Sequence, residues 1–281
     1  MTLREALEGK RVGVVLSAGY FGFYGHAGFV EALHQEGVNV AAWAGTSAGG
    51  LIAALRAAEV STSSIRDLLS TQRREHFWDP DYFGIAMDSV RKGHRSSGLL
   101  KGEQFRALIE KHLPVRRFEA LATPLLLVAT NLTTQSAVTL TSGDLATAIH
   151  ATCAYPGLFQ AVRHDSGLLW DGGIVDKAPV LALSQLSGVK LDVLLVHYLP
   201  SHGSPTEPRG PFAYASGLAA GFAAVRKDHF RLQLELLAAR KVPTYVVTSE
   251  LPPVTPRTMP NGVAAIEAGK ASALEALGRF K

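Results

Sequence analysis

Hydrophobic and polar positions repeat with two different periods along the chain, and the changes of period predict where its elements lie. Residues 11–17 form a short apolar run typical of a buried strand, and residues 26–36 carry the spacing of an amphipathic helix that ends at Gly37. Residues 38–45 then predict a second strand, and residues 48–60 predict a second helix. Two strand–helix units in tandem indicate neighbouring parallel strands, because each helix returns the chain to the same end of the sheet.

The rest of the chain continues with helices and strands, and we interpret the whole as one domain. Residues 61–118 look mainly helical. The clearest further helices are residues 102–113, 145–154, 212–242 and 261–279. The further strands are residues 124–132, 135–143, 190–200 and 243–249. Residues 1–281 therefore predict a single three-layer α/β domain, with a largely parallel central sheet and helices on both faces.

Composition excludes several classes of protein. With 47% hydrophobic and 19% charged residues, a chain of 281 residues can bury a sizeable core, which argues against disorder. The formal net charge of +4 is a mild excess without a basic stripe, so we expect no nucleic-acid partner. The single cysteine, Cys153, excludes an internal disulfide and a Cys-based zinc site, and it is interpreted as a small buried side chain in a reducing compartment.

Two features bear on where the protein is found. The first residues carry Arg4, Glu5 and Glu8 before any apolar run, unlike a secretory signal, so we expect a cytoplasmic protein. The uncharged run from Gly37 to Leu55 is long enough to raise the question of a membrane span. It divides naturally into a strand, a tight glycine-rich turn and a helix, so we interpret it as buried within the α/β domain and not as a span.

The most specific chemical signal is a Gly-x-Ser-x-Gly turn between the second strand and the second helix. Gly45, Ser47 and Gly49 form this pattern, which between a strand and a helix holds a serine on a sharp, exposed turn. The following helix directs backbone N–H groups towards any oxyanion formed beside Ser47. The pattern alone also fits a glycine-rich turn with an idle serine.

A serine nucleophile needs a group that accepts its proton. None of the ten histidines lies in the late loop where an α/β-hydrolase places its base, and only His197, at a strand end, is kept as a candidate, with a structural role favoured. The second candidate is Asp171, which follows a short apolar strand and precedes Gly172 and Gly173. Burial beside Trp170 would raise the pKa of this carboxyl and improve it as a base, although an ordinary Asp-Gly turn fits the same residues.

With these motifs the chain resembles a known family, the patatin-like phospholipases. The resemblance is carried, in order, by LSAGYFGFYGHAGFVEAL, AGTSAGG, GLLKGEQFRALI, ATNLTTQSAVTLTSGDLATAIHATCAYPGLF and WDGGIVDKAPV, all within residues 12–185. The C-terminal third matches weakly. Members of the family are lipid acyl hydrolases that use a Ser-Asp pair without histidine, so the resemblance implies Ser47 as the nucleophile and Asp171 as the base.

The resemblance also implies an oxyanion hole and a substrate class. The oxyanion would be held by backbone N–H groups of Gly19, Ala18 and Tyr20, in the loop after the first strand, and of Ala48, directly after the serine. The implied reaction is cleavage of fatty-acyl esters of lipids through an acyl-Ser47 intermediate, without a metal or cofactor. A transacylase would use the same pair of residues, and a catalytically weak lipid-binding protein is the third interpretation.

The sequence departs from the family pattern in two places. The family loop commonly carries three or four glycines and an Arg, whereas residues 17–22 of this chain read Ser-Ala-Gly-Tyr-Phe-Gly, without the Arg. Ala18 and Tyr20 fit such a loop only if the turn needs no positive φ at their positions. The second departure is Lys177, which stands where the family often carries Asn and bears on the support of the Asp171 turn.

The spacing of the loop glycines excludes a dinucleotide-binding site. Gly19, Gly22 and Gly25 lie three residues apart and do not form Gly-x-Gly-x-x-Gly. In addition, no Asp or Glu lies between residues 37 and 55 to hold a ribose.

Peripheral contact with a membrane is expected at one basic segment. Its basic residues are Arg91, Lys92, His94, Arg95 and Lys101, and its aromatic neighbours are Phe77, Trp78, Tyr82 and Phe83. Such groups can bind an anionic lipid surface, although a solvated helical face over packed rings fits the same residues. The sequence predicts no oligomeric state.

Overall fold

The computed structural model describes residues 2–84, 98–200, 213–256 and 258–278. The strands are β1 Val12–Leu16, β2 Val40–Thr46, β3 Gly98–Leu100, β4 Leu125–Asn131, β5 Ser136–Leu140, β6 Gly157–Phe159, β7 Val162–His164, β8 Gly167–Asp171, β9 Val193–Tyr198 and β10 Thr244–Thr248. The α-helices are α1 Leu3–Leu7, α2 Phe23–Gln35, α3 Ala48–Ala57, α4 Thr62–Thr71, α5 Glu103–His112, α6 Leu145–Cys153, α7 Val180–Ser184, α8 Ala213–Ala239 and α9 Gly262–Ala276.

A mixed sheet forms the centre of the molecule. Its strands lie in the order β10, β9, β1, β2, β4, β8, β7, and β5 also pairs with β4. The first five strands in this order run parallel, whereas β5 and β8 run antiparallel to β4, and β7 runs antiparallel to β8. Because β1 has β2 on one side and β9 on the other, the carboxyl end of β1 lies at a switch point, where open α/β sheets form a crevice.

Helices cover both faces of the sheet, as the sequence predicts. One hydrophobic core contains Val14 and Leu16 of β1 together with buried residues of α2, α3, α6 and α9. The other core contains Val15 of β1 with Phe230 and Leu237 of α8. Alternate residues of β1 therefore enter opposite cores, which is why the strand is buried on both sides and reads as one continuous apolar run.

Most of the predicted elements are confirmed, and the shortest strands are the ones that the sequence did not reveal. The run from 37 to 55 forms β2, a turn and α3. In the part of the chain that the structure describes, we find no helix with the length and apolar character needed to cross a membrane. The interpretation of residues 61–118 as mainly helical is wrong at β3, which pairs with β6. Three-residue strands such as β3, β6 and β7 are too short to show a two-residue period.

Candidate active site

Ser47 occupies a strained turn between β2 and α3. Its backbone angles are φ 55° and ψ −125°, a backbone conformation that residues other than glycine rarely adopt. The two motif glycines make the turn possible by close backbone approach. A Cβ on Gly45 would lie 2.6 Å from the backbone of Gly49, and a Cβ on Gly49 would lie 2.2 Å from the carbonyl oxygen of Leu16. The strand, the turn and the helix therefore meet without room for a side chain at either position.

The end of α6 holds the Ser47 turn in place. The Thr152 hydroxyl accepts a hydrogen bond from the Ser47 N–H at 3.0 Å and donates its own hydrogen to the carbonyl oxygen of Val128 on β4. The next residue, Cys153, donates its thiol to the Ser47 carbonyl oxygen at 3.2 Å. Both peptide groups of Ser47 are thus satisfied from one helix end. The sequence does not single out Thr152, which stands inside an ordinary helix pattern, and it indicates only a packing role for Cys153.

Asp171 reaches Ser47 through the registers of two strand pairs. Thr46, the last residue of β2, pairs with Val128 on β4. Strand β4 continues beyond that point, and β8 returns along the extension and ends with Asp171 opposite Ala129. The last residue of β8 therefore lies one register position beyond the partner of Thr46. This placement brings the two residues of the proposed pair together from positions far apart in the sequence.

The Asp171 carboxylate is buried and hydrogen-bonded. The side chain is 2% exposed; it accepts the Ser47 hydroxyl and, at 2.7 Å, the Gly173 N–H. Burial raises the pKa of Asp171 to about 6, while the bonds from Ser47 and Gly173 and the positive charge of Arg226 act in the opposite direction. A serine hydroxyl that faces a carboxylate of this pKa can pass its proton to it near neutral pH.

The loop after β1 lies beside the Asp171 turn. A Cβ on Gly173 would lie 2.9 Å from the Cβ of Ala18, so the Ala18 side chain leaves no room for a side chain at Gly173. The Ala18 N–H donates to the carbonyl oxygen of Lys177 at 2.7 Å, so this amide does not fit the expected role of an oxyanion donor. In the described parts of the chain, the N–H groups of Gly19 and Tyr20 have no acceptor. The same holds for the Ala48 N–H, at the start of α3.

The positive φ in this loop falls at Phe21, with a value of 52°. Ala18 and Tyr20 have ordinary negative φ angles, so their side chains are tolerated without strain. The Tyr20 ring is 58% exposed, whereas Phe21 and Phe23 pack against the main core. The strained position of the loop is thus Phe21 and neither Ala18 nor Tyr20, and the Phe21 ring also contacts the rings of Tyr20 and Phe23.

A buried pair of histidines supports the start of the same loop. The Ser17 carbonyl oxygen lies 2.8 Å from Nε2 of His26 and can only accept, so Nε2 carries the proton. Nδ1 of His26 then accepts from Nδ1 of His197 at 2.8 Å, and Nε2 of His197 accepts from the Ser249 hydroxyl at 2.8 Å. Burial lowers the pKa of His26 to about 3 and that of His197 well below its usual value, so both rings are neutral.

This arrangement rules out His197 as the base for Ser47. Its side chain is fully buried, both of its ring nitrogens are occupied, and its ring stacks on Phe29 at a centroid distance of 4.1 Å. The structural role favoured from the sequence is the correct one.

Two basic side chains lie near the Asp171 turn. Arg226 on α8 donates from Nη1 to the carbonyl oxygen of Gly173 at 2.9 Å. Lys177 is 4% exposed, and its Nζ lies 4.6 Å from the ring centroid of Tyr198. Burial, followed by the charge of Arg226, lowers the pKa of Lys177 to about 8. Lys177 stands out in the sequence as a departure from the family pattern, whereas Arg226 does not, because no motif surrounds it in the C-terminal third.

The segment nominated for membrane contact is described only in part. Arg91, Lys92, His94 and Arg95 lie outside the described residues. Lys101 is half-exposed and lies 3.9 Å from the Asp81 carboxylate. The rings of Tyr82 and Phe83 are 69% and 78% exposed, whereas Trp78 lies under the guanidinium of Arg74. For the described residues, no group of three or more His, Cys, Asp or Glu side chains could hold a metal ion.

Comparison with known proteins relates the chain to one family. The family model for patatin-like phospholipases matches residues 14–184. An uncharacterised NTE family protein of Mycobacterium tuberculosis is 28% identical over 200 residues, which are 70% of this chain and 51% of the relative. Patatin-like phospholipase domain-containing protein 6 of Mus musculus is 26% identical over 63% of this chain and 13% of its own length. The chain thus spans about half the length, or less, of these curated relatives.

A solved structure shows the same fold. VipD from Legionella pneumophila superposes with a TM-score of 0.50 at 16% sequence identity, over 96% of this chain and 67% of that one. The family match covers more than half of the chain, runs from β1 to the end of α7 and includes both Ser47 and Asp171. The chain therefore belongs to the patatin-like phospholipase family.

Proposed function

We propose that this protein is a lipid acyl hydrolase that cleaves fatty-acyl esters through an acyl-Ser47 intermediate, with Asp171 as the base. The observation that carries the proposal is the placement of the Ser47 hydroxyl beside the buried Asp171 carboxylate by the registers of β2, β4 and β8. The strained turn around Ser47 and the family membership support the same function. A substrate of the lipid ester class follows from the family and not from any pocket in the structure.

The reaction that these residues can perform has two halves. First, Asp171 takes the proton of the Ser47 hydroxyl while Oγ bonds to the carbonyl carbon of the ester. The tetrahedral intermediate then expels the alcohol, which takes that proton from Asp171. Second, Asp171 takes a proton from water as the water oxygen attacks the acyl group, and the proton returns to Ser47 as the fatty acid leaves.

The negative charge of the intermediate needs donors that are not already engaged. The N–H groups of Gly19, Tyr20 and Ala48 meet this requirement within the described residues, whereas Ala18 and Ser47 donate elsewhere. The N-terminus of α3 adds a favourable dipole directly after Ser47. We therefore propose an oxyanion hole of Gly19, Tyr20 and Ala48, without Ala18.

The test combines covalent labelling with turnover. A fluorophosphonate probe and a short-chain aryl ester are applied to the wild type, Ser47→Ala and Asp171→Asn, each checked for folding by circular dichroism. Matched controls are Ser136→Ala and Asp165→Asn, which remove an exposed serine and an exposed aspartate. We expect the wild type and the controls to label and turn over, and the two site variants to lose at least a hundredfold of the turnover.

The same experiment separates the alternatives. A wild type that is folded but neither labels nor hydrolyses the ester would contradict the proposal and favour a lipid-binding protein. Faster ester consumption with added alcohol or thiol, and formation of the new ester, would identify a transacylase that uses the same two residues. A panel of phospholipid and glyceride vesicles would then define the head group and acyl chain.

A further inference from the structure

Helix α8 belongs to the part of the chain beyond the family match, yet it contacts the centre of the site. The match ends at residue 184, whereas α8 runs over Ala213–Ala239. Among the described residues of α8, three side chains face the segment that follows Asp171. Arg226 and Gln233, two helical turns apart, donate hydrogen bonds to it, and Nδ1 of His229 lies 3.9 Å from the Asp176 carboxylate.

Gln233 fixes the position of the helix. Its side chain is 4% exposed; Nε2 donates to Asp176 Oδ1 at 2.9 Å, and Oε1 accepts from the N–H of Leu181 at 3.0 Å. An amide that bonds on both sides to one segment sets the distance between that segment and α8. The placement of Arg226 against Gly173 is therefore built into the fold and does not depend on a mobile surface side chain.

Arg226 is itself held at two nitrogens. Nε donates to the carbonyl oxygen of Phe222, one turn earlier in the same helix, at 3.1 Å, and Nη1 donates to Gly173 at 2.9 Å. The first bond orients the planar guanidinium, and the second uses that orientation. A lysine carries the same charge but cannot form both bonds with one rigid group.

Gly173 passes this contact on to the carboxylate. Its N–H donates to Asp171 Oδ1 at 2.7 Å, and its carbonyl oxygen accepts from Arg226. Both peptide groups that flank Gly173 are thus fixed, one by the carboxylate and the other by the guanidinium. The backbone of Asp171 is fixed as well, because its N–H donates to Ala154 and its carbonyl oxygen accepts from the Thr130 hydroxyl.

We propose that Arg226 is a positioning residue for the Ser47–Asp171 pair: it fixes the Gly173 turn that orients the carboxylate, and its charge favours the ionised carboxylate. This inference rests on the proposed function and deepens it, since it gives the C-terminal third of the chain a part in the reaction. In the described parts of the chain, the groups that act on Asp171 are the Ser47 hydroxyl, the Gly173 N–H, the thiol of Cys153 and the guanidinium of Arg226. Of these, Arg226 is the one that carries a full positive charge.

The test measures how the site responds to pH in four forms of the full chain. The rate of fluorophosphonate labelling and kcat/KM for the aryl ester are measured from pH 5 to 9 for the wild type, Arg226→Gln, Arg226→Lys and Lys227→Gln. Lys227 is the matched control, because it is an exposed cation at the next position of α8 and its loss changes the net charge equally. Thermal melts establish that each variant is folded.

We expect Arg226→Gln to move the acidic limb of both profiles upwards by about half to one pH unit, since loss of the cation makes Asp171 harder to ionise. Its rate near pH 6 should fall several-fold more than its rate near pH 8. Arg226→Lys should restore the wild-type position of the acidic limb but keep a lower kcat/KM at the plateau, because the charge returns without the two hydrogen bonds of the rigid guanidinium. Lys227→Gln should behave as the wild type.

Two results would overturn the inference. The first is a pH profile of Arg226→Gln whose acidic limb lies at the wild-type position. The second is an equal shift of the acidic limb in Lys227→Gln, which would show that the effect comes from net charge and not from the position of Arg226. Carbon NMR titration of the Asp171 carboxyl gives the same comparison without catalysis. If the wild type shows no labelling or turnover but the pKa of Asp171 still shifts in Arg226→Gln, the proposed function is wrong and the effect of Arg226 on the carboxyl is supported. If the wild type labels normally but the pKa of Asp171 does not shift in Arg226→Gln, the proposed function is supported and the role of Arg226 is wrong.

Discussion

The Ser47 turn and the loop after β1 each form one wall of the candidate site, but their glycines are required for different reasons. In the Ser47 turn, a Cβ on Gly45 or Gly49 would lie 2.6 or 2.2 Å from backbone atoms. In the loop, a Cβ on Gly19 would first meet Cδ1 of Leu199, at 3.0 Å. At Gly45 and Gly49 the nearest obstacle is backbone, which cannot yield, whereas at Gly19 the nearest obstacle is the end of a side chain.

This difference explains why the loop can depart from the family pattern while the serine turn keeps it. A backbone contact at 2.2 Å leaves glycine as the one residue that fits, so the spacing of Gly45, Ser47 and Gly49 is a reliable signal of structure. The loop tolerates Ala18 and Tyr20 because its positive φ falls elsewhere. A departure from the family's glycine pattern in this loop therefore does not by itself indicate that the proposed oxyanion hole is lost.

The largest effect that would break this comparison is expected at Gly49. Gly49→Ala places a methyl group 2.2 Å from the Leu16 carbonyl oxygen, so we expect a loss of more than about 4 kcal/mol of unfolding free energy, or failure to fold. Gly19→Ala should cost less than about 1.5 kcal/mol and keep its labelling. Gly221→Ala on α8, where a Cβ meets nothing within 4 Å, is the control and should be neutral or stabilising. Urea unfolding measures all three, and equal losses at Gly49 and Gly19 would refute the distinction.

The next effect concerns the Asp171 turn, which touches both regions. The folded pKa of about 6 lies above the ordinary 3.8, so the stabilisation from the neutral carboxyl is complete below about pH 4 and is lost as the pH rises through 6. Asp171→Asn avoids this loss. We expect the variant to gain on the wild type by up to about 3 kcal/mol between pH 4 and 7.5, measured by urea unfolding at both values. Asp165→Asn should show no such trend, and a stability difference that is independent of pH would contradict the prediction.

A smaller effect is expected where α6 holds the Ser47 turn. Thr152→Val keeps the shape of the side chain but leaves the Ser47 N–H and the Val128 carbonyl oxygen without their partner. We expect a loss of about 1–3 kcal/mol and slower labelling of Ser47. Thr152→Ser keeps the hydroxyl and should label at close to the wild-type rate. Equal labelling of the Val and Ser variants would show that this hydroxyl does not support the turn.

The smallest effect would sharpen the comparison, because both regions contain one non-glycine residue with positive φ. These residues are Ser47, at 55°, and Phe21, at 52°. At most positions alanine is more stabilising than glycine, but here we expect the order to reverse by about 1 kcal/mol. The measurement compares Phe21→Gly with Phe21→Ala, and Ser47→Gly with Ser47→Ala, by urea unfolding. Alanine variants that are the more stable at both positions would argue against strain in these turns.

Local patterns in the sequence predicted most of the fold, and they singled out Ser47 and Asp171, which the structure brings together. The apolar runs of β1 and β2, and glycines that no other residue can replace, are visible without a structure. The sequence could not reveal contacts between residues that are far apart along the chain and close together in the fold. Neither Thr152 nor Arg226 belongs to a sequence motif. Thr152 matters because its hydroxyl joins the Ser47 turn to β4, and Arg226 matters because Gln233 docks α8 against the segment that carries Asp171. The engagement of the Ala18 N–H by Lys177 is likewise a contact between separate turns.

The buried histidine pair has a consequence for tolerance of acid. The chain of donors from Ser249 through His197 and His26 to Ser17 runs in one direction and has no place for an added proton. Because the folded pKa of His26, about 3, lies below the ordinary 6.5, its stabilising effect is complete above pH 6.5 and declines as the pH falls. Asp171 acts with the opposite sign between about pH 4 and 6. The dependence of stability on pH across that interval should therefore be flatter in the wild type than in Asp171→Asn, and the Asp171 carboxyl partly offsets the sensitivity of the two histidines to acid.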